Sequence, residues 1–185
     1  NKEIVDKMNE IGYLKATGKT EAQVSVDLIT TNIKDCIEDA DIIMVCTTTD
    51  AHGEIAFQAS PYLNDNQIVL LNPGHLGGTM EFLNSLKLAG CKAKPIVGEA
   101  SDLMYACRTV EVGHTLHTGV KAKIKVASIP SENAAKICDA LKGIFDCFVP
   151  AKNVLETGLS GGSLLHSIPC VMNMNKVELG ESFDY

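Results

Sequence analysis

Tryptophan is absent from the 185-residue chain, and aromatic residues make up only 5% of it. No apolar run approaches the roughly 20 residues that a helix needs to cross a bilayer. The opening NKEIVDKMNE is charged and lacks the apolar centre of a signal peptide. Basic residues are outnumbered, with 16 Lys and Arg against 23 Asp and Glu and a formal net charge of -7. That excludes a broad basic surface for nucleic acid or an anionic membrane, though a local pocket for one small anion remains compatible with it. The seven cysteines are odd in number and scattered, and never form C-x-x-C. This argues against a disulfide framework and a clustered zinc site, and for reduced, mostly buried thiols in a cytoplasmic protein. Three signatures are also missing: the Walker lysine after a glycine loop, G-x-G-x-x-G, and the G-x-S-x-G elbow. The chain does not begin with Met, so a processed product or a fragment is expected.

What is present is ordinary globular material: 45% hydrophobic and 21% charged residues. A chain of this size buries about 70% of the surface its unfolded form exposes and folds without staples. Ile4, Met8 and Ile11 recur at helical spacing, which predicts a helix over 2–11 ended by Gly12. Residues 13–16 and 22–29 alternate as strands do, and Thr31 or Asn32 suits the cap of a short helix through Ile37. Ile42 to Cys46 and Gln67 to Leu71 are continuous apolar runs, the pattern of strands buried on both faces of a parallel sheet. Helices are predicted at about 51–60 and 79–89, then a strand from Ala93 to Val97. This alternation argues for an α/β fold with a mostly parallel sheet. Residues 104–112 and 120–128 read as longer, partly exposed strands that pair with each other. Asn133 to Phe145 reads as an amphipathic helix, and Phe148-Val149 as a short strand. Pro150 precedes a helical region from Asn153, so the domain boundary is placed at 150–152, with residues 151–185 opening a second, all-helical domain.

Ligands of open α/β sheets bind beyond the carboxyl ends of the strands. Two predicted loops lie there. Thr47, Thr48 and Thr49 offer hydroxyls and backbone N–H groups to a phosphate or ribose; alternatively they cap the following helix. Asn72, Pro73 and Gly74, with Gly77 and Gly78, let backbone approach a ligand closely; alternatively they form a plain turn. His114 and His117, three apart, read as solvated loop residues rather than a metal pair, and no third ligand suggests itself. His52 and His75 are expected to face solvent. His166 sits among apolar residues and is either a satisfied interior group or a general acid/base.

Four motifs, in order, resemble the octopine/nopaline (opine) dehydrogenase family. They are Asp41-Ile42-Ile43-Met44-Val45 with Ala51-His52; Ile68 to Gly74 with Gly77-Gly78; Gly98-Glu99-Ala100 with Tyr105-Ala106-Cys107-Arg108; and Glu156 to Ser160 with His166, Pro169 and Asn173. The resemblance covers essentially the whole chain but not the whole family. It implies a partial Rossmann-type domain over residues 1–150, whose first strand-helix-strand would precede residue 1, and then the start of the helical domain.

The activity so implied is reductive condensation of an amino acid with an α-keto acid, using NAD or NADP as cofactor. By the same resemblance Thr47–Thr49 and Asn72–Gly74 would face the pyrophosphate and nicotinamide ribose. Glu99 would lie near the nicotinamide, and His166 would be the catalytic acid/base. Arg108 reads either as a substrate-carboxylate anchor or as a structural ion pair, with the ion pair favoured. Asn173 reads either as a substrate contact or as a helix-packing group. Two departures from the family pattern are Gly161-Gly162-Ser163 before His166 and the spaced His166-Ser167-Ile168-Pro169. Little or no catalysis is expected from these 185 residues alone. Two rivals stand: a related 2-hydroxy or 2-keto acid dehydrogenase needing no amine, and a non-catalytic oligomeric ligand-binding module. No metal, nucleic-acid or membrane partner is expected, and a homodimer is left open.

Overall fold

The computed structural model describes residues 2–75, 77–159 and 162–183; the side chains of 162–166 are not among those described. The chain begins with α1 (Lys2–Ile11), β1 (Leu14–Gly18) and β2 (Ala22–Val24). A short α2 (Ile33–Ile37) follows, capped by Asn32, whose Oδ1 accepts the Lys34 N–H at 3.2 Å. Then come β3 (Ile42–Val45), α3 (His52–Ala59), β4 (Ile68–Leu71), α4 (Gly78–Leu88) and β5 (Ile96–Ala100). The fifth strand starts three residues later than the apolar pattern suggested, because residues 91–95 run as a connection. Next are β6 (Tyr105–Glu111), β7 (His114–Val120), β8 (Ile124–Ser128), α5 (Asn133–Leu141) and β9 (Phe148–Pro150). Helices α6 (Val154–Gly158), α7 (Gly162–Met172) and α8 (Met174–Leu179) close the chain.

The main sheet runs β3-β4-β5-β8-β9. The first three strands are parallel, β8 is antiparallel to β5, and β9 is parallel to β8. Strand β4 explains why this sheet is the core. Val69 and Leu71 pack with Ala56, Phe82 and Leu86 of α3 and α4. Ile68 and Leu70 pack on the opposite face with Ile124, Ile137 and Leu141. All four β4 residues are buried, as the unbroken apolar run required.

Two expectations are corrected. The partner of β6 is β7, through a tight hairpin in which Gly113 has φ 81°, while β8 joins the main sheet instead. The hairpin belongs to a second sheet, β2-β1-β7-β6, in which β1 runs parallel to β7. Strand β2 is also shorter than its 22–29 pattern, since residues 25–32 have no strand partner.

His114 and His117 accordingly lie in a strand, half-buried, rather than in a solvated loop. His114 Nε2 is 2.9 Å from Thr17 Oγ1, and the His117 ring stacks on Tyr105 at 4.6 Å. Among the described residues no three His, Cys, Asp or Glu come together to hold a metal ion. None of the described helices is long and apolar enough to cross a membrane.

The cysteines are also more exposed than expected. All seven are free; Cys36, Cys46, Cys107 and Cys170 are exposed, and only Cys138 is buried. Burial, with the Asp139 charge adding to it, pushes the Cys138 thiol up to about 11. Alkylation near neutral pH, mapped by peptide mass, will therefore modify Cys36, Cys107 and Cys170 first. Cys138 will react only once the chain is unfolded; early labelling of Cys138 would contradict this packing.

Candidate functional site

The carboxyl ends of β3, β4 and β5 deliver three connections to one edge of the main sheet. After β3 the chain makes a single tight turn, Thr49–Ala51, before α3. Thr47, Thr48 and Thr49 are exposed, and the Thr48 side chain makes no cap hydrogen bond, so it does not serve as a helix cap. The Thr48 hydroxyl instead lies by Asp50 and holds that carboxyl below the usual carboxylate range.

After β4, Asn72, Pro73 and Gly74 are all buried. The Asn72 N–H donates to the Val45 carbonyl at 2.8 Å, and the Gly74 N–H donates to Ala100 at 3.0 Å. The loop is thus sewn between the neighbouring strand ends. A side chain at position 74 would overlap Glu99 Cβ, which is why glycine stands there. Gly74, His75, Gly77 and Gly78 then line a cleft of about 520 Å³ with Thr49, Asp50 and Glu81. Of the predicted contacts, Thr49 and Gly74 line this cleft; Thr47, Thr48, Asn72 and Pro73 do not.

Two groups beneath the loop have roles that the sequence did not show. His52, expected to face solvent, is wholly buried, and neither ring nitrogen has a hydrogen-bond partner among the described residues. The absence of a side chain at Gly78 makes room for the imidazole: a Cβ there would lie 3.1 Å from His52 Nδ1. Asn72 Oδ1 and Thr79 Oγ1 are buried and unpartnered as well, so four such atoms gather around this loop. Glu99 is also fully buried, but both its oxygens are engaged. Oε2 accepts the Thr79 N–H at 2.9 Å, and Oε1 accepts the Thr157 hydroxyl at 2.6 Å. A glutamate ending an apolar strand was the available signal; its partners, 20 and 58 residues away, carried none.

The other predicted residues lie elsewhere. Arg108, on β6 of the second sheet, is exposed and makes no ion pair among the described residues, so the favoured ion-pair reading is corrected. It lines a groove of about 360 Å³ with Asp102, Tyr105, Cys107, Thr118 and Lys121. In that groove Lys121 pairs with Asp102. Asn173 precedes α8, and its Nδ2 donates to the Pro169 carbonyl at 2.9 Å, which bridges the junction of α7 and α8. His166 falls within α7, and its side chain is outside the described residues.

Burial lowers the His52 pKa; Glu99 partly opposes this, the charge of His75 adds to it, and Asp50 opposes it slightly. The native ring therefore binds its proton less readily than the unfolded one, whose pKa is about 6.5. The contribution to stability is complete above that value and declines as pH falls below it. Thermal unfolding followed from about pH 7 to pH 5 will show such a decline, and a shallower one in His52→Phe. Equal slopes in the two proteins would exclude His52 as its source. Gly74→Ala will cost about 1–3 kcal/mol in denaturant unfolding, because the loop must move off Glu99; an unchanged midpoint would refute the close approach.

No family model matches the chain. The opine dehydrogenase of Arthrobacter sp. (strain 1C) is 29% identical over 160 residues, covering 86% of this chain and 44% of that protein. The structure of octopine dehydrogenase with NADH and pyruvate superposes with a TM-score of 0.71 at 20% identity, covering 89% of this chain and 45% of that one. A PanE/ApbA family ketopantoate reductase from Ralstonia eutropha JMP134 gives a TM-score of 0.60 at 14% identity, covering 83% and 47%. The chain thus spans under half the length of the curated relative it matches. The resemblance to opine dehydrogenases is borne out, as is the Rossmann-like α/β fold.

Proposed function

We propose that these residues belong to a nicotinamide-dinucleotide-dependent dehydrogenase of the opine type, supplying the later part of its nucleotide domain up to residue 150 and the first helices of its substrate domain. The observation that carries this reading is the loop after β4. Gly74 is pressed onto Glu99, and Gly77 and Gly78 open α4 toward the cleft, where backbone rather than side chain meets a ligand. The cleft presents the carboxylates of Asp50 and Glu81 and has no Lys or Arg among its lining residues. It therefore suits hydroxyls and amides, as on a nicotinamide ribose, better than a diphosphate.

NADH or NADPH bound there would supply hydride to the carbon of the substrate double bond. The remaining work falls to the chain. Arg108, exposed and without an ion-pair partner among the described residues, suits the carboxylate of a keto acid. His166 serves as the acid/base that gives or takes a proton as the keto acid and amino acid condense. Asn173 holds the α7–α8 junction, which fixes the segment behind His166. The activity is proposed for a protein of the relatives' length, and the 185 residues alone are expected to turn over little or nothing.

A second reading, reduction of a keto acid without an amine, draws on the likeness to ketopantoate reductase. Both are tested by NADH and NADPH titration, then by turnover with keto acids in the presence and absence of amino acids. In the longer protein, Arg108→Ala should raise the keto-acid KM about ten- to hundredfold. His166→Gln should lower kcat about 10²- to 10⁴-fold. Turnover without any amino acid would favour the second reading, and failure to bind either nucleotide would remove both.

A further inference from the structure

We propose that Glu99 is a positioning residue: its buried carboxylate fastens the start of α4 onto α6. The floor of the cleft and the helical segment leading to His166 are then set by one side chain. The resemblance put Glu99 at the nicotinamide; in the structure it has no exposed surface, and each oxygen already accepts a hydrogen bond.

The two bonds join parts of the chain that no local interaction would bring together. Thr79 is the second residue of α4, and its N–H, among the first of the helix, has no carbonyl of its own helix to reach. Glu99 Oε2 supplies that acceptor. Thr157 lies in α6 and is likewise fully buried; its hydroxyl reaches Glu99 Oε1 at 2.6 Å and the Val154 carbonyl at 3.0 Å. It has one proton for two acceptors. Another tie between α6 and the sheet, Lys125 to Glu156 at 2.7 Å, is half exposed and screened by salt. His52 lies close by but makes no hydrogen bond to Glu99, so the carboxylate is committed to the loop and to α6.

A clasp and a charge contact make opposite demands at position 99. In Glu99→Gln the amide oxygen still accepts the Thr79 N–H, and the NH₂ group donates to Thr157, whose proton turns to Val154. The clasp survives and only the charge is lost. Glu99→Ala leaves the Thr79 N–H buried without an acceptor. Thr157→Val removes only the hydroxyl and keeps the side-chain shape.

The test is amide hydrogen exchange by mass spectrometry on the whole chain, read in the segments 72–80 and 154–159. Glu99→Ala should speed exchange in both segments by about tenfold or more. Glu99→Gln should stay within about threefold of the parent. Thr157→Val should speed exchange in α6 and, through Glu99, in 72–80. The proposal is overturned if Glu99→Gln behaves as Glu99→Ala, or if Thr157→Val leaves 72–80 unchanged. Those two variants decide it even if the alanine variant does not fold. The link to the cleft rests on the proposed function and is read by NADH titration. Glu99→Gln should keep the parent affinity within about threefold, whereas a loss of tenfold or more with unchanged exchange would mean a direct charge contact. A parent of the relatives' length that binds no NADH would sink the functional reading but leave the exchange result standing.

Discussion

Taking a carboxylate out of water costs several kcal/mol unless its oxygens are bonded where they sit. Glu99 meets that requirement at the end of β5, and much of the site follows from it. Thr79 must bring its N–H to one oxygen, which fixes where α4 begins. Thr157 must bring its hydroxyl to the other, which fixes where α6 docks. The stem of Glu99 fills the space under residue 74, so that position admits only glycine. A single buried group thereby dictates a glycine 25 residues before it and a threonine 58 residues after it.

The sheet makes this arrangement rigid. Strand β4 is buried on both faces, between α3 and α4 on one side and the α5 layer on the other. The loop leaving it cannot shift without disturbing both cores. Close-packed interiors transmit such strain rather than absorb it. The glycine backbone that lines part of the cleft above is accordingly held from below, with His52 supporting Gly78 and Glu99 supporting Gly74. Preorganised main chain is a favourable lining for a polar ligand, because little conformational freedom remains to be lost on binding.

How legible this was in the sequence depended on whether the signal was local. The runs Ile42–Val45 and Ile68–Leu71 were readable because a strand buried on both faces needs apolar residues at every position. The cap at Asn32 was readable for a similar reason: its partner lies two residues away. The hairpin partner was not legible because apolar and polar residues alternate over 120–126 but not over β7, and only the sharp turn at Gly113 marks β7 as β6's partner. His52 was misread because its burial depends on the missing side chain of Gly78, 26 residues on. Glu99 was singled out by resemblance, yet neither its burial nor its bonds to Thr79 and Thr157 could be seen before the fold was known. The motif order carried the family likeness; the contacts inside the site came only with three dimensions.

The Arg108 groove lies on a different sheet from the cleft, and a short stretch of chain links β5 to the strand that carries Arg108. Leaving β5 just after Glu99, the chain is tied to β8 by the Ser101 N–H donating to Lys125 at 2.8 Å. It then enters β6, and the Lys121 N–H donates to Met104 at 3.0 Å across the hairpin base. The Asp102–Lys121 ion pair lies at the same base. These three ties fall within residues 101–104, immediately after the strand whose end carries the clasp. The hairpin is therefore anchored at its root, and Arg108 stands a few residues along an antiparallel pair extending from it. A long cationic side chain on such a ribbon keeps its own freedom, while its base inherits the rigidity of β5. Under the proposed function, that division would suit a carboxylate anchor: a fixed root, and a long side chain free to adjust to the acid.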